Sequence, residues 1–403
     1  MTADADVLAR VRGRLAVDAT APTAARVAAL VREEVGVRGS ADVLDVVESV
    51  RRELVGAGPL DELLHEPGVT DVLVNGPHEV WVDRGGGLEL TRTTFADEKD
   101  LRRLAVRLAA AAGRRLDDAV PCADIKLADG VRLHAVLPPV SPQICLSFRV
   151  PRRRAFSLAE LVSLRTLTSA GAEVLAAIVR ARLSFIVTGG TGTGKTTLLS
   201  TLLGCVDPTE RLVIVEDSAE LRPDHPHVVR LEARAPNIEG AGAIELRTLV
   251  REALRMRPDR LIVGEVRGAE CVDLLAALNI GHDGGAGTLH ANSVADVPAR
   301  VEALCTAAGL SRAAAHSQLG AGLQVVVHLA RHRDGQRDGQ RDGQCDGQRL
   351  LDSIGVVARH LDGLVEVRTA MRLVDSQWIE GPARGDLERL LDGTASSSNS
   401  GRR

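Results

Sequence analysis

The chain has 403 residues, enough for two or three domains, with 45% hydrophobic and 26% charged residues, a mixture typical of globular proteins. The formal net charge of −4 gives no overall electrostatic reason to bind nucleic acid, and we expect no direct nucleic-acid partner. No apolar run approaches the ~20 residues that cross a bilayer, and the acidic first residues contain no signal-peptide core, so we expect a cytoplasmic protein.

The N-terminal part of the chain predicts a helical segment followed by a small mixed domain. Residues 1–64 are predicted to be helical, because apolar residues recur there at three- and four-residue spacing. From about Val69 short β-rich runs separated by turn signals take over, then a helical run over 97–112, then further strands. This order predicts a compact α+β domain over 65–150, joined to the next domain by a linker at 151–157.

The remainder, residues 158–392, alternates strand-like and helical runs. The apolar runs 183–187, 212–215 and 261–263 lack polar alternation. Central strands of a sheet that is covered on both faces have this pattern. The sequence therefore predicts an α/β domain with helices on both faces of the sheet.

A repeat of four residues, Arg-Asp-Gly-Gln, interrupts this domain. It starts at Arg333 and recurs three times, with Cys345 replacing the arginine in the last copy, between strand-like runs at 324–330 and 350–357. We predict a polar, glycine-rich and disordered hairpin tip over 333–348. The small and polar residues 393–403 predict a disordered tail.

The strongest chemical signal is the run from Gly189 to Thr196, a complete G-x-x-x-x-G-K-[ST] phosphate loop between an apolar strand and a helical run. In such a loop, backbone N–H groups and the helix N-terminus bind the phosphates of ATP. Lys195 is predicted to neutralise the β- and γ-phosphates, and the Thr196 hydroxyl to ligate Mg²⁺. The predicted nucleotide-binding residues of the loop are Gly189, Gly190, Thr191, Gly192, Thr193, Gly194, Lys195, Thr196 and Thr197.

Two later strand-like runs end in carboxylates, Glu216 after the first and Glu265 after the second, and Glu220 follows shortly after Glu216. The carboxyl ends of parallel strands meet at one sheet edge, where the phosphate loop also lies. One carboxylate there can hold Mg²⁺, and another can orient the attacking water. Solvated strand ends often carry acidic residues, so each motif alone is weak. Because Gly264 stands where a Walker B motif usually has aspartate, Glu265 is predicted to be the Mg²⁺ carboxylate.

A glycine-rich segment beyond the Glu265 strand carries two histidines, His282 and His290. A lone histidine is usually structural. Two of them in this position predict a contact with the γ-phosphate, because imidazole can donate a hydrogen bond to a phosphate oxygen.

These motifs, in this order, resemble the secretion ATPases of the type II/type IV superfamily, and within it the CpaF-like tight-adherence (Flp) pilus branch. The Cys-x-x-Cys pairs of many type II members are missing here, which favours that branch. The resemblance extends from about Gly56 to Val374. It rests on GAGPLDELL (56–64), VNGP (74–77), GRRLDDAVP (113–121), GGTGTGKTTLL (189–199), VEDSAEL (215–221), RMRPDRLIVGEVRGAE (255–270) and GHDGGAGTLHANS (281–293).

The resemblance implies a homohexamer of two-domain subunits, in which a smaller α+β (PAS-like) domain precedes a RecA-like P-loop ATPase domain and ATP with Mg²⁺ binds between them. Its Asp box matches Glu216, Asp217 and Glu220, its Walker B glutamate matches Glu265, and its His box matches His282 through His290. The predicted catalytic carboxylates and histidine are Glu216, Glu220, Glu265 and His290.

Arginines of the N-terminal domain approach the phosphates in this family, and Arg132 and Arg149 match them best. The alternative for both is a solvated surface position. Ile280 and Gly285 replace the Thr and Ser usual in the His box, which predicts weaker sensing of the γ-phosphate.

The implied function is ATP hydrolysis that powers pilus assembly or protein secretion at the inner face of the cytoplasmic membrane, through an inner-membrane platform protein. Two alternatives have the same active-site residues: a conjugation-type transfer ATPase, and a nucleotide-gated structural ring with little turnover. The motifs are the same for every cargo, so the sequence leaves the cargo open.

Overall fold

A computed structural model of the chain describes residues 56–127, 129–151, 154–234, 236, 241–332 and 348–398, together with residues 10, 14, 29, 30 and 33. The chain divides into two compact units, residues 1–151 and 152–403. The few described positions before residue 56 are helical. Most of the predicted helical segment 1–64 and most of the predicted repeat loop lie outside the described residues.

The first unit contains a 3-10 helix (Gly58–Leu60), α1 (Asp61–His65), β1 (Asp71–Asn75), β2 (Val80–Asp83), β3 (Leu88–Leu90), α2 (Glu98–Ala111), β4 (Cys122–Lys126), β5 (Arg132–Val136) and β6 (Cys145–Arg149). Its six strands form one antiparallel sheet with the order β3-β2-β1-β6-β5-β4.

Helix α2 covers this sheet with one apolar face. The helix begins after Asp97, whose side chain accepts a hydrogen bond from Asp100 N, and this N-cap satisfies an otherwise unpaired donor. Leu101, Leu104 and Leu108 are buried on one face at three- and four-residue spacing. The predicted α+β character is confirmed.

The core of the first unit includes residues before position 65, at which the predicted α+β domain started. Ala57, Leu60 and Leu64 are buried in the same core as the sheet. The predicted boundary separated the short helix that carries these side chains from the domain on which it packs.

The second unit is built on a nine-stranded sheet. The strands are β7 (Phe185–Gly189), β8 (Leu212–Glu216), β9 (Val228–Glu232), β10 (Arg260–Val266), β11 (Ala286–Leu289), β12 (Val325–His332), β13 (Gln348–Arg359), β14 (Val365–Val374) and β15 (Gln377–Glu380). Their order in the sheet is β15-β14-β13-β12-β7-β11-β10-β8-β9. From β12 to β9 in this order neighbouring strands run parallel, and β13 to β15 add an antiparallel extension.

Helices cover both faces of this sheet, as predicted. On β7, Phe185 and Val187 belong to one core and Ile186 to the other, which explains an apolar run without alternation. The helices are α3 (Leu158–Ser163), α4 (Ser169–Arg180), α5 (Lys195–Leu203), α6 (Leu246–Leu254), α7 (Glu270–Asn279), α8 (Val297–Ala307), α9 (Arg312–Gly322) and α10 (Arg384–Ser398). No helix among the described residues is both long and apolar enough to cross a membrane.

Helix α10 continues to Ser398, whereas the sequence predicted a disordered tail from residue 393. Leu387 anchors the helix in the core, and the helix extends through the small residues that follow. Residues 399–403 lie outside the described part of the chain.

Candidate active site

The phosphate loop connects the buried strand β7 to helix α5 at the carboxyl edge of the parallel sheet. Gly189 ends the strand with a φ of +147°, and a Cβ there would lie 2.4 Å from Leu329 O on β12 and 2.7 Å from Thr193 Oγ1. Only glycine fits this position, because the loop leaves the sheet in contact with the neighbouring backbone.

Lys195 is the first residue of α5 and is 93% buried, with a relative exposure of 7%. Its Nζ donates to Gly189 O at 3.1 Å and to Gly190 O at 2.8 Å. Burial lowers the pKa of this ammonium group, while the charge of Glu265 opposes that effect. The lysine is thus held against carbonyls of the loop itself, and phosphate oxygens can replace them as acceptors.

Glu265 and Arg267 lie on and just after β10, beside the loop. Glu265 lies within the strand, which continues to Val266, and Arg267 Nη2 donates to Glu265 Oε2. Burial alone would raise the pKa of Glu265, but Arg267, His290 and Lys195 outweigh it, so the pKa is lowered. The carboxylate is therefore charged at neutral pH.

His290, just after β11, connects Lys195 to Glu265. Its Nδ1 lies 3.4 Å from Lys195 Nζ, and its Nε2 lies 2.9 Å from Glu265 Oε1. An ammonium group only donates, so Nδ1 must be the acceptor, and the proton of the neutral ring is then on Nε2. Nε2 lies close to Glu265 Oε1 without forming a hydrogen bond to it. Burial and the nearby Lys195 lower the pKa of His290, which keeps the ring neutral.

Glu216, at the end of β8, organises the turn that carries Glu220. Glu216 Oε1 accepts hydrogen bonds from Glu220 N and Leu221 N, both at 3.0 Å. The side chain is buried, and Oε2 has no hydrogen-bond partner among the described residues. Burial raises the pKa of Glu216 to about 7.

Gly264 provides the space for Glu216. A Cβ on Gly264 would lie 2.5 Å from Glu216 Cγ and 2.9 Å from Glu216 Oε1. An aspartate at this Walker B position is therefore incompatible with the observed Glu216 conformation, which explains why glycine replaces it.

The chain also matches a known protein family. The family model described as "Type II/IV secretion system protein" matches residues 53–367. The chain belongs to this family. A putative conjugal transfer protein of Mycobacterium tuberculosis (strain H37Rv) is 58% identical over 305 residues, or 74% of this chain and 87% of that protein. Protein VirB11 of Agrobacterium fabrum is 32% identical over 259 residues, or 58% of this chain and 75% of VirB11.

Among solved structures, the pilus retraction motor PilT with bound ADP covers 83% of this chain and 85% of its own, with a TM-score of 0.50 and 17% identity. At this identity the likeness concerns the fold alone, a RecA-like ATPase domain after an N-terminal domain. The recognised family, the fold class and the enzyme class predicted from the sequence are confirmed, and the protein is a secretion ATPase of the type II/IV family.

The structure adds Arg267 to the residues predicted for this secretion ATPase. The hydrogen bond to Glu265 is the main cause that raises the pKa of Arg267, and the nearby charges of Asp217 and Glu220 raise it further. Arg267 thus connects the exposed Glu220 turn electrostatically to Glu265. The sequence could have indicated Arg267 as a site residue, because it lies two residues after Glu265 in the same motif.

His328, on β12, is a second residue that sequence reasoning missed. It is buried opposite Thr188, the residue before Gly189, and His328 Nδ1 lies 2.9 Å from Thr188 Oγ1. Its ring also forms a hydrogen bond to the backbone of Asn292, and burial lowers its pKa. His328 therefore joins the phosphate-loop strand to the segment that carries His290.

Part of the His-box prediction was wrong. His282 precedes β11, so it lies at the amino ends of the parallel strands, whereas the phosphate loop lies at their carboxyl ends. The four residues of β11 separate the two ends by about 13 Å. Ile280 and Gly285 also precede β11, and Ile280 is 72% exposed. The replacements at Ile280 and Gly285 therefore lie away from the carboxyl ends of the strands, where His290 contacts Lys195.

Arg132 and Arg149 belong to the first unit, where they lie opposite each other on β5 and β6. Arg149 is exposed, and its Nε lies 3.4 Å from Asp71 Oδ1. Their predicted approach to the phosphates stays a prediction.

The site fits a Mg²⁺ ion that is bound mainly through nucleotide. Within the described ranges, no group of three His, Cys, Asp or Glu side chains is arranged to hold a metal. A phosphate-loop Mg²⁺ needs no such group, because it takes one or two protein ligands together with phosphate oxygens and waters. Thr196, half-buried in the first turn of α5, and the charged Glu265 suit that limited role.

Proposed function

We propose that this secretion ATPase hydrolyses Mg²⁺–ATP at the phosphate loop and uses the energy to move protein subunits through a membrane-embedded pilus or secretion assembly. The main support for this proposal is the series of side chains Lys195–His290–Glu265. It connects the lysine proposed to bind phosphate to β10, the strand that carries the carboxylate proposed to bind Mg²⁺. Mg²⁺ supplies charge neutralisation to the reacting phosphates when it is bound. The remaining steps belong to side chains of the chain itself.

Lys195 and the loop N–H groups bind the phosphates, and Thr196 and Glu265 hold Mg²⁺. When Lys195 turns from its loop carbonyls to phosphate oxygens, His290 loses a donor to its Nδ1. The imidazole then reports the presence of the γ-phosphate to the segment on which it lies. His328 anchors that segment to the strand under the loop.

Glu220 orients the attacking water in this proposal. Its turn is held by the two backbone hydrogen bonds to Glu216, and its side chain is exposed near the Arg267 charge. A positioned carboxylate near water suffices for this role, because in phosphoryl transfer the protein acts mainly by positioning and by charge.

We further propose a homohexamer in which Arg132 and Arg149 contribute positive charge to the phosphates. A guanidinium group fixed near a transferring phosphoryl group stabilises its developing charge. The activity per subunit should then rise with protein concentration as rings form, and nucleotide should favour the ring by linkage. Sedimentation and ATPase rates across a dilution series test this, with Arg149→Ala expected to lower turnover. A constant rate from a species that stays monomeric contradicts the ring.

The protein is proposed to work at the inner face of the cytoplasmic membrane, on an inner-membrane platform protein of a tight-adherence pilus. A conjugation-type function is the second candidate, since the 58% identical relative is called a putative conjugal transfer protein. Deleting the gene and measuring surface pili and DNA transfer in the same strain separates the two. Loss of transfer with normal piliation would replace the pilus proposal by the conjugal one.

A further inference from the structure

Two arginines lie at the base of the hairpin formed by β12 and β13. Arg331 and Arg349 are directly opposite each other in this antiparallel pair. On its other side β12 pairs with β7, and Leu329 is opposite Gly189 at the end of that strand. Strand β12 continues past this point, so Arg331 lies beside the phosphate loop rather than beside β7.

Both arginine side chains reach the glycines of the loop. The Cβ position of Gly192 is 4.0 Å from Arg331 Nη1, and that of Gly194 is 3.9 Å from Arg349 Cδ. Both arginines are exposed. Each one therefore lies against a residue whose backbone belongs to the phosphate-binding loop.

The pair brings positive charge to the side of the loop away from the carboxylates. Strand β12 neighbours β7 on one side, whereas β11, β10 and β8, which lead to His290, Glu265 and Glu216, lie on the other. Like charges directly opposite in a sheet repel each other. Two guanidinium groups side by side at the loop also attract a polyanion.

We propose that Arg331 and Arg349 form a phosphate clamp, the name we give to this pair, that binds the polyphosphate of ATP and ADP from the β12 side. This inference rests on the proposed nucleotide-driven function and adds two binding residues to it. Guanidinium groups suit the task, because their planar fork of N–H donors matches phosphate oxygens and stays charged at any physiological pH.

The backbone pairing of β12 with β13 fixes the position of the clamp, whatever the sequence between Arg331 and Arg349. The cross-strand pairs Ala330–Leu350, Arg331–Arg349 and His332–Gln348 hold the hairpin together at its base. The Arg-Asp-Gly-Gln copies begin at residue 333 and end at Gln348, so only their last residue takes part in these pairs. The position of the clamp at the loop therefore follows from β12 and β13 alone.

Calorimetric titration of the full chain with ADP, without Mg²⁺, tests the clamp in the variants Arg331→Gln, Arg349→Gln and the double variant. Each single change should weaken ADP binding about three- to tenfold and the double change more than tenfold, as expected for charge-assisted hydrogen bonds. The dependence of log Kd on log salt should become shallower. Arg372→Gln is the matched control, an exposed arginine of the same sheet that lies opposite Ser353 on β13, and it should bind ADP like the wild type.

Thermal unfolding without nucleotide distinguishes binding from folding. The double variant should melt at the wild-type temperature, and its ADP-induced shift should shrink. A lower melting temperature without nucleotide would assign the pair a structural role and overturn the clamp. Wild-type ADP affinity in the double variant would also overturn it and leave the proposed function intact, whereas a wild type that binds no ADP refutes the proposed function itself.

Discussion

The contact between Gly264 and Glu216 makes a quantitative prediction about stability. In Gly264→Ala the new Cβ would lie 2.5 Å from Glu216 Cγ, against a normal carbon–carbon contact of about 3.5–4.0 Å. The glutamate must move by about 1 Å. It then strains or loses its hydrogen bonds from Glu220 N and Leu221 N. Overpacking costs about 1–3 kcal/mol, and weakened bonds to a carboxylate add to it, so we expect a loss of about 3 kcal/mol.

Denaturant and thermal unfolding measure this loss, which should lower the melting temperature by about 6–12 °C for a domain of this size. Gly385→Ala in α10 is the control, since the nearest atom to its Cβ position is 3.8 Å away. That change should be neutral or stabilising. In a Glu216→Ala background the Gly264→Ala change should cost less than about 1 kcal/mol, because the colliding atoms are absent. A Gly264→Ala protein as stable as the wild type would refute the packing argument.

Three other predictions concern the carboxylates and the lysine. Lys195→Ala should abolish turnover and weaken ADP binding, because the phosphates lose a buried ammonium group, and hydrolysis near the wild-type rate would contradict the site assignment. Glu265→Gln should bind ATP yet hydrolyse it more slowly by orders of magnitude, since an amide cannot neutralise Mg²⁺; single-turnover measurements check this. Burial raises the pKa of Glu216 to about 7 from 4.5. The protonated carboxyl of Glu216 therefore stabilises the folded protein fully below pH 4.5, and this stabilisation is lost as the pH rises through 7. The free energy of unfolding falls by up to about 3 kcal/mol over this range. The variant Glu216→Gln should lack this decline between about pH 5 and pH 8, and an equal decline in both proteins would locate the titration elsewhere.

Local patterns predicted the strands and the helix that carry the candidate site. The phosphate loop is a contiguous string whose strand and helix are its immediate neighbours, and Glu216 and Glu265 each follow or end an apolar run. Parallel strands then bring their carboxyl ends together without further information. His290 was predicted differently, from the glycine-rich segment with two histidines and from the His box of the resembled family, and the structure places it after β11 at that edge.

Contacts between distant strands were beyond the sequence. Nothing local indicates that Glu216 packs against Gly264, that His328 lies opposite Thr188, or that Arg331 reaches the phosphate loop. These pairs depend on the order of strands in the sheet, which places β8 beside β10 and β12 beside β7. The error at His282 has the same origin, because the glycine-rich segment spans a strand and its two ends lie at opposite edges.

The pKa values of the two strand-end glutamates shift in opposite directions, which supports the different roles proposed for them. Arginine, histidine and lysine charges lower the pKa of Glu265, while burial raises that of Glu216 to about 7. A metal ligand must be charged, which favours Glu265. Glu216 is therefore more easily protonated than Glu265, and its Oε1 already accepts hydrogen bonds from two backbone N–H groups. It is thus suited to hold the Glu220 turn rather than to contact water. The exposed Glu220, kept near Arg267, is left as the carboxylate that can face the reacting phosphate.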